Sequence, residues 1–229
     1  MKKIGVILSG NGVYDGSEIQ ESVFTLLAID ECGAEAVCFA PDMNQHHVVN
    51  HLTGEEMDEK RNILLEAARI ARGKIFPLSK FDAFQLDGLI IPGGFGAAKN
   101  LTKWAFSGPD GDILTEVKNA IIGMAELNKP IAGLCMGPTV IAKAMEGSNR
   151  KPILTVGTTK APSPYEIAAI SAGMEKTGAI AEMHTIDEIA VDEMNKIVTA
   201  PCYMMEASIS QVKQNISLAV SKLMEMVNK

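Results

Sequence analysis

Four short apolar runs constrain this chain more than anything else in it: KIGVIL (3–8), AVCFA (36–40), DGLII (87–91) and PIAGL (130–134). Each has the length of a buried strand. Each ends abruptly, at Ser9-Gly10, Pro41, Pro92-Gly93-Gly94 and Cys135 respectively. Between them the apolar residues fall at helical spacing. Ile19, Val23, Leu26 and Leu27 set a first helix, closed by Gly33. Residues 55–72 read as a charged amphipathic helix capped by Gly73, and residues 112–127 as a further helix. A helix follows Cys135 to about Glu146, and 164–173 and 206–227 add two more. The last carries Ile209, Val212, Ile216, Val220, Leu223 and Val227 on one face. Residues 74–78 and 153–156 read as short strands, and 188–199 as a late β-hairpin turning at Asp192 to Asn195. Strands alternating with helices predict an α/β fold, a mostly parallel sheet with helices on both faces. No linker, repeat or low-complexity segment interrupts 1–229, so one domain is expected.

Ligands of such sheets bind beyond the carboxyl ends of the strands. Three loops fall there: 9–17, 92–98 and 135–138. Cys135 stands where a strand turns sharply into a helix, with Gly133 and Gly137 two residues away on either side. A side chain at such an elbow is pushed out over the sheet edge. The helix N-terminus favours thiolate over thiol, and its free N–H groups can hold an oxyanion. Gly93 and Gly94 let a second loop bring its N–H groups close to a small ligand. The candidate oxyanion and substrate-binding positions are therefore Gly93, Gly94 and Met136, with Gly12 in the first loop.

Composition narrows the partners. A net charge of −7 argues against nucleic acid, and no apolar stretch reaches the length needed to span a bilayer. The cysteines at 32, 38, 135 and 202 fit neither a CxxC metal pair nor a disulfide framework, so a reducing, cytoplasmic setting is expected. Cys32 and Cys38 read as packing residues, and Cys202 as a second thiol near the site. His47 and His51 are four apart, but no Cys or carboxylate completes a ligand set beside them. No metal and no cofactor are expected.

"GLIIPGGFGAAKNL" followed by "KPIAGLCMGPTVIAK" resembles the DJ-1/PfpI superfamily, which shares the class I glutamine amidotransferase fold. "VILSGNGVYDGSEIQE", "CFAPD…HLTGE" and "IAVDEMNKIVTAPCYM" are similar to its ElbB branch, the enhancing lycopene biosynthesis and sigma cross-reacting group. The resemblance spans essentially the whole chain. It implies a flavodoxin-like three-layer sandwich, a homodimer, and Cys135 as nucleophile. It also implies a glutamate near the start of the first helix that hydrogen-bonds the thiol. Glu21 fits its spacing from Gly16 and from Gly33; Glu18 is the second candidate. A carboxyl buried there would be protonated and could donate to the sulfur. Many relatives carry a histidine beside the cysteine or about twenty residues on. Here position 136 is Met, and His46, His47, His51 and His184 match neither place. A Cys-His-Glu triad and glutamine amidotransfer lose support accordingly.

The activity implied for the ElbB branch is that of a glyoxalase III-like lyase, converting glyoxal to glycolate without glutathione or metal. The expected substrate is a small aldehyde in a small, polar pocket. Two other readings stand beside it. One is a cysteine-based redox sensor or regulatory protein affecting isoprenoid output. The other is an amidotransferase-like subunit fed by a synthase.

Overall fold

The structure, a computed structural model, describes residues 1–229. The strands are β1 (Lys3–Ile7), β2 (Glu35–Ala40), β3 (Ile75–Pro77), β4 (Gly88–Ile91), β5 (Ile131–Leu134), β6 (Ile153–Leu154), β7 (Ile180–Ala181), β8 (Ala190–Asp192) and β9 (Ile197–Ala200). The helices are α1 (Ile19–Glu31), α2 (Ile63–Ile70), α3 (Trp104–Ser107), α4 (Thr115–Glu126), α5 (Gly137–Met145), α6 (Ile167–Lys176) and α7 (Ile209–Val227).

Seven strands pair in the order β3-β2-β1-β4-β5-β9-β8, all parallel except β8, which returns antiparallel to β9 as the expected hairpin. The two-residue strands β6 and β7 pair separately. Helices α1 and α7 pack together on one face of the sheet, and α4 and α5 on the other. This makes the three-layer, flavodoxin-like arrangement. Strands β4, β5 and β9 are buried along their whole length, which is why they are continuous apolar runs rather than alternating ones.

Four predicted helices start later than expected, α4 and α6 by three residues each. The pattern over 55–72 yields only Ile63–Ile70. Asn62 caps that helix, its side chain accepting the Leu65 N–H at 3.0 Å. The preceding residues instead run back along the 44–50 segment, through Gln45 N–H to Arg61 O and Met57 N–H to Val48 O. α7 begins at Ile209 because Ser208 and Gln211 form a reciprocal cap. Its first residue, Ile209, is half exposed rather than part of the buried face. One segment had no sequence signal. After Gly96 the chain winds a single π turn over Ala97–Leu101 and enters α3, burying Trp104.

The strand order reverses at β1, which lies between β2 and β4. Loops after β1, β4, β5 and β9 converge beyond the carboxyl edge at that reversal.

Candidate active site

Cys135 is the first residue past β5. Its N–H still bonds Ala200 O at 2.9 Å, as a strand residue would. Its φ of 55° then swings the chain into the left-handed region, and Met136 opens α5. That conformation costs a non-glycine residue about 1 kcal/mol. The small flanking residues make room for it. A Cβ on Gly137 would collide with Ile91 O, and one on Gly133 would stand 2.9 Å from Pro138 N.

Glu21 reaches the same spot from the first turn of α1. It is fully buried, and Oε1 accepts the Tyr203 N–H at 3.2 Å. Oε2 has no hydrogen-bond partner. Both Oε2 and the Cys135 sulfur crowd against Gly93: a Cβ there would lie 2.6 Å from Oε2 and 2.8 Å from Sγ. Gly93 is thus an approach position, where backbone comes close enough to pin the two reactive groups together. Burial, reinforced by the neighbouring Glu18, pushes the Glu21 carboxyl up to about 8. The proton it keeps at neutral pH gives Oε2 a donor to aim at the sulfur.

The thiol itself departs from expectation. Cys135 is buried, and burial together with Glu21 holds it well above the ordinary thiol value. The helix terminus does not outweigh desolvation. The N–H groups of Gly94 and Met136 face the sulfur and act in the opposite direction. Neither donates to another backbone carbonyl, so both remain available to an oxyanion.

Glu18 plays a different part from Glu21. It is the N-cap of α1, its Oε2 accepting the Glu21 N–H at 2.6 Å, and it sits in the wall of the cavity. Gly12 is a correction. Its N–H is taken by Ser17 O at 2.9 Å, its φ is 139°, and the His51 ring fills the space a side chain would need. It is a turn position packed under His51, not a ligand contact. His51 in turn is a brace, with Nε2 accepting the Tyr14 N–H at 3.2 Å and Nδ1 3.0 Å from Val49 O. His184 pairs with Glu182 in the loop before β8. None of the four histidines lines the cavity. Cys202, with φ 50°, is wholly buried behind the elbow and does not line that cavity either.

The cavity above Cys135 has a volume of about 250 Å³. It was expected to be polar, and it is not. Apart from Glu18 its wall is apolar or aromatic: Phe95, Ala98, Trp104, Ala105, Met136, Ile170 and their neighbours. It opens through Val13, Glu18, Tyr165 and Tyr203 into a wider vestibule that adds Tyr14, Gln20 and Glu206. All three tyrosines of the chain stand around this cleft.

No family model matches the chain. It is 38% identical over 231 residues to the rat ES1 protein homolog, mitochondrial, covering 99% of this chain and 85% of that protein. The chain belongs to the ES1 family. A second ES1-family relative is the human glutamine amidotransferase-like class 1 domain-containing protein 3, mitochondrial. It is 38% identical over 234 residues, which is 99% of this chain and 84% of that one. Among solved structures, an isoprenoid biosynthesis protein with amidotransferase-like domain from Ehrlichia chaffeensis superposes with a TM-score of 0.89. It shares 32% identity and covers 99% of both chains. Glyoxalase III of Candida albicans shares the fold, with TM-score 0.61, 14% identity and 96% of each chain covered. These likenesses place this ES1 chain in the DJ-1/PfpI, amidotransferase-like superfamily, in its ElbB branch. The curated ES1 relatives are named as mitochondrial proteins, which overturns the cytoplasmic placement. Free thiols report a reducing compartment, not which one it is.

Proposed function

We propose that the protein is a glyoxalase needing neither glutathione nor metal, which turns a 2-oxoaldehyde into a 2-hydroxy acid at Cys135. One arrangement carries the reading: a sulfur and two free N–H groups line one cavity, and a buried, protonatable carboxyl packs against the sulfur at Gly93. The sulfur adds to the aldehyde carbon and forms the C–S bond. The carbonyl π pair moves to oxygen, and the thiol proton ends there through Glu21. Gly94 and Met136 N–H groups hold the oxygen while it is negative.

Glu21 as carboxylate then removes the C–H proton of the hemithioacetal, giving an enediol, and a proton returns to the neighbouring carbon. The former aldehyde carbon is thereby oxidised to a thioester and its neighbour reduced to an alcohol. No external oxidant enters. Water attacks the thioester, releases the hydroxy acid and restores the S–H. For glyoxal the sum is glyoxal plus water giving glycolate.

With both groups raised by burial, the resting site is neutral. The ionised fraction of Glu21 supplies the base, and it grows as pH approaches 8. Activity is expected to climb between pH 6 and 8. The test is glyoxal consumption and glycolate formation by chelator-treated protein, beside Cys135→Ala and Glu21→Gln. Many turnovers, lost in both variants, support the reading. No turnover, with Cys135 oxidised stoichiometrically by peroxide, would transfer support to the redox sensor. Amidotransfer has no imidazole in the cavity to activate the thiol.

A further inference from the structure

The cavity is larger and drier than glyoxal requires. Glyoxal has four non-hydrogen atoms, whereas about 250 Å³ is the room of roughly eight waters. Filling the remainder with water would set it against Phe95, Ala98, Trp104, Ala105 and Ile170, which offer it few partners. An apolar cavity of about 150 Å³ already takes a benzene ring. The volume here therefore has space for a ring and, beside it, a two-carbon reacting head at the sulfur.

Charge points the same way. The only charged residue in the wall is Glu18, and the vestibule adds Glu206 with no cation. The nearby basic groups are engaged elsewhere. Lys99 Nζ donates to Tyr14 O at 2.9 Å and stands 5.5 Å from the centre of the Phe95 ring. Lys103 Nζ donates to Lys99 O at 3.1 Å. Neither lines the cavity, so nothing there would pair with a phosphate or a carboxylate.

We infer that the compound this cavity selects is a 2-oxoaldehyde carrying an uncharged aryl or branched-alkyl group, which lies among Phe95, Ala98, Trp104, Ala105 and Ile170. Glyoxal is then a poor substrate and sugar phosphates are excluded. The head-group chemistry rests on the proposed reaction at Cys135; the apolar subsite rests on the cavity alone.

Two measurements keep these apart. The first compares phenylglyoxal with glyoxal in the unmodified protein, by chromatography of the hydroxy acid formed, with Cys135→Ala as blank. A kcat/KM on the order of 100-fold higher for phenylglyoxal is expected. The second uses Cys135→Ala and the unreactive ketone acetophenone. Trp104 is the chain's single tryptophan, so its indole N–H gives one nuclear magnetic resonance signal. Acetophenone should shift that signal saturably, whereas acetone and benzoate should not. Adding Ala105→Phe, at an exposed position on the cavity rim, should abolish the shift. Turnover of glyoxal equal to or faster than that of phenylglyoxal overturns the inference and leaves the thiol chemistry standing. No turnover of either aldehyde, with the acetophenone shift present, removes the chemistry and keeps the subsite. A missing shift, or an equal one with benzoate, overturns the subsite itself.

Discussion

Replacing Glu21 by glutamine should stabilise the protein, by an amount that depends on pH. The folded carboxyl is pushed up to about 8 from an ordinary 4.5. Below pH 4.5 both folded and unfolded chains hold the proton, and ionisation costs nothing. Between 4.5 and 8 the unfolded chain releases the proton while the folded one keeps it. Stability therefore falls by about 1.4 kcal/mol for each pH unit. At pH 7 the accumulated loss is about 3 kcal/mol, and it levels off above pH 8 at about 5 kcal/mol. Glutamine has the same shape, does not titrate, and can still accept the Tyr203 N–H. Urea denaturation of both proteins at pH 5, 6, 7 and 8 reads the difference directly. The gap in unfolding free energy should widen by about 1 kcal/mol per unit across that range. A gap that does not change with pH would mean that Glu21 ionises like a surface carboxylate. The proton relay to Cys135 would then have no basis.

Gly93→Ala should fold less stably, by about 1–3 kcal/mol, and lose at least tenfold in turnover, because its methyl group enters the space between Sγ and Glu21 Oε2. Thermal melts and glyoxal kinetics check both halves. Asn62→Ala should cost about 1 kcal/mol of stability through the lost cap of α2, with kinetics untouched, since α2 contributes nothing to the cavity wall. His184→Ala should leave kcat/KM within about twofold, as expected of a substitution outside a site's hydrogen-bond reach; a large loss would place that imidazole in the chemistry despite its pairing with Glu182.

The elbow was legible because strand, cysteine and Gly-Pro are contiguous in sequence: an apolar run followed by Cys135, Gly137 and Pro138 leaves few other conformations. Glu21 was legible only through the family resemblance, whose glutamate stands at its spacing from Gly16 and Gly33; its complete burial could not be read from a helix start that also holds Glu18 and Gln20. The cavity's apolar character was hidden for a different reason. Its wall is assembled from Phe95, Trp104, Tyr165, Ile170 and Tyr203, which come from separate loops and helices. No local pattern joins them, and the Gly-rich stretch that leads to Trp104 reads as a loop rather than a π turn and a helix. The helix expected over 55–72 failed because charged residues at helical spacing also suit a solvated loop. The cap at Asn62 and the pairing of 55–61 with the 44–50 segment decide between the two. The thiol was expected to be acidic because a helix terminus is a local feature, whereas desolvation is set by the whole fold.

The left-handed backbone at Cys135 also bears on how such a chain changes over generations. Glycine or asparagine would sit in that conformation with less strain. A lineage that stopped using the thiol would therefore drift toward one of them, each such step relieving the fold. Cys202, at φ 50°, stands under the same strain without lining the cavity, so it would drift first.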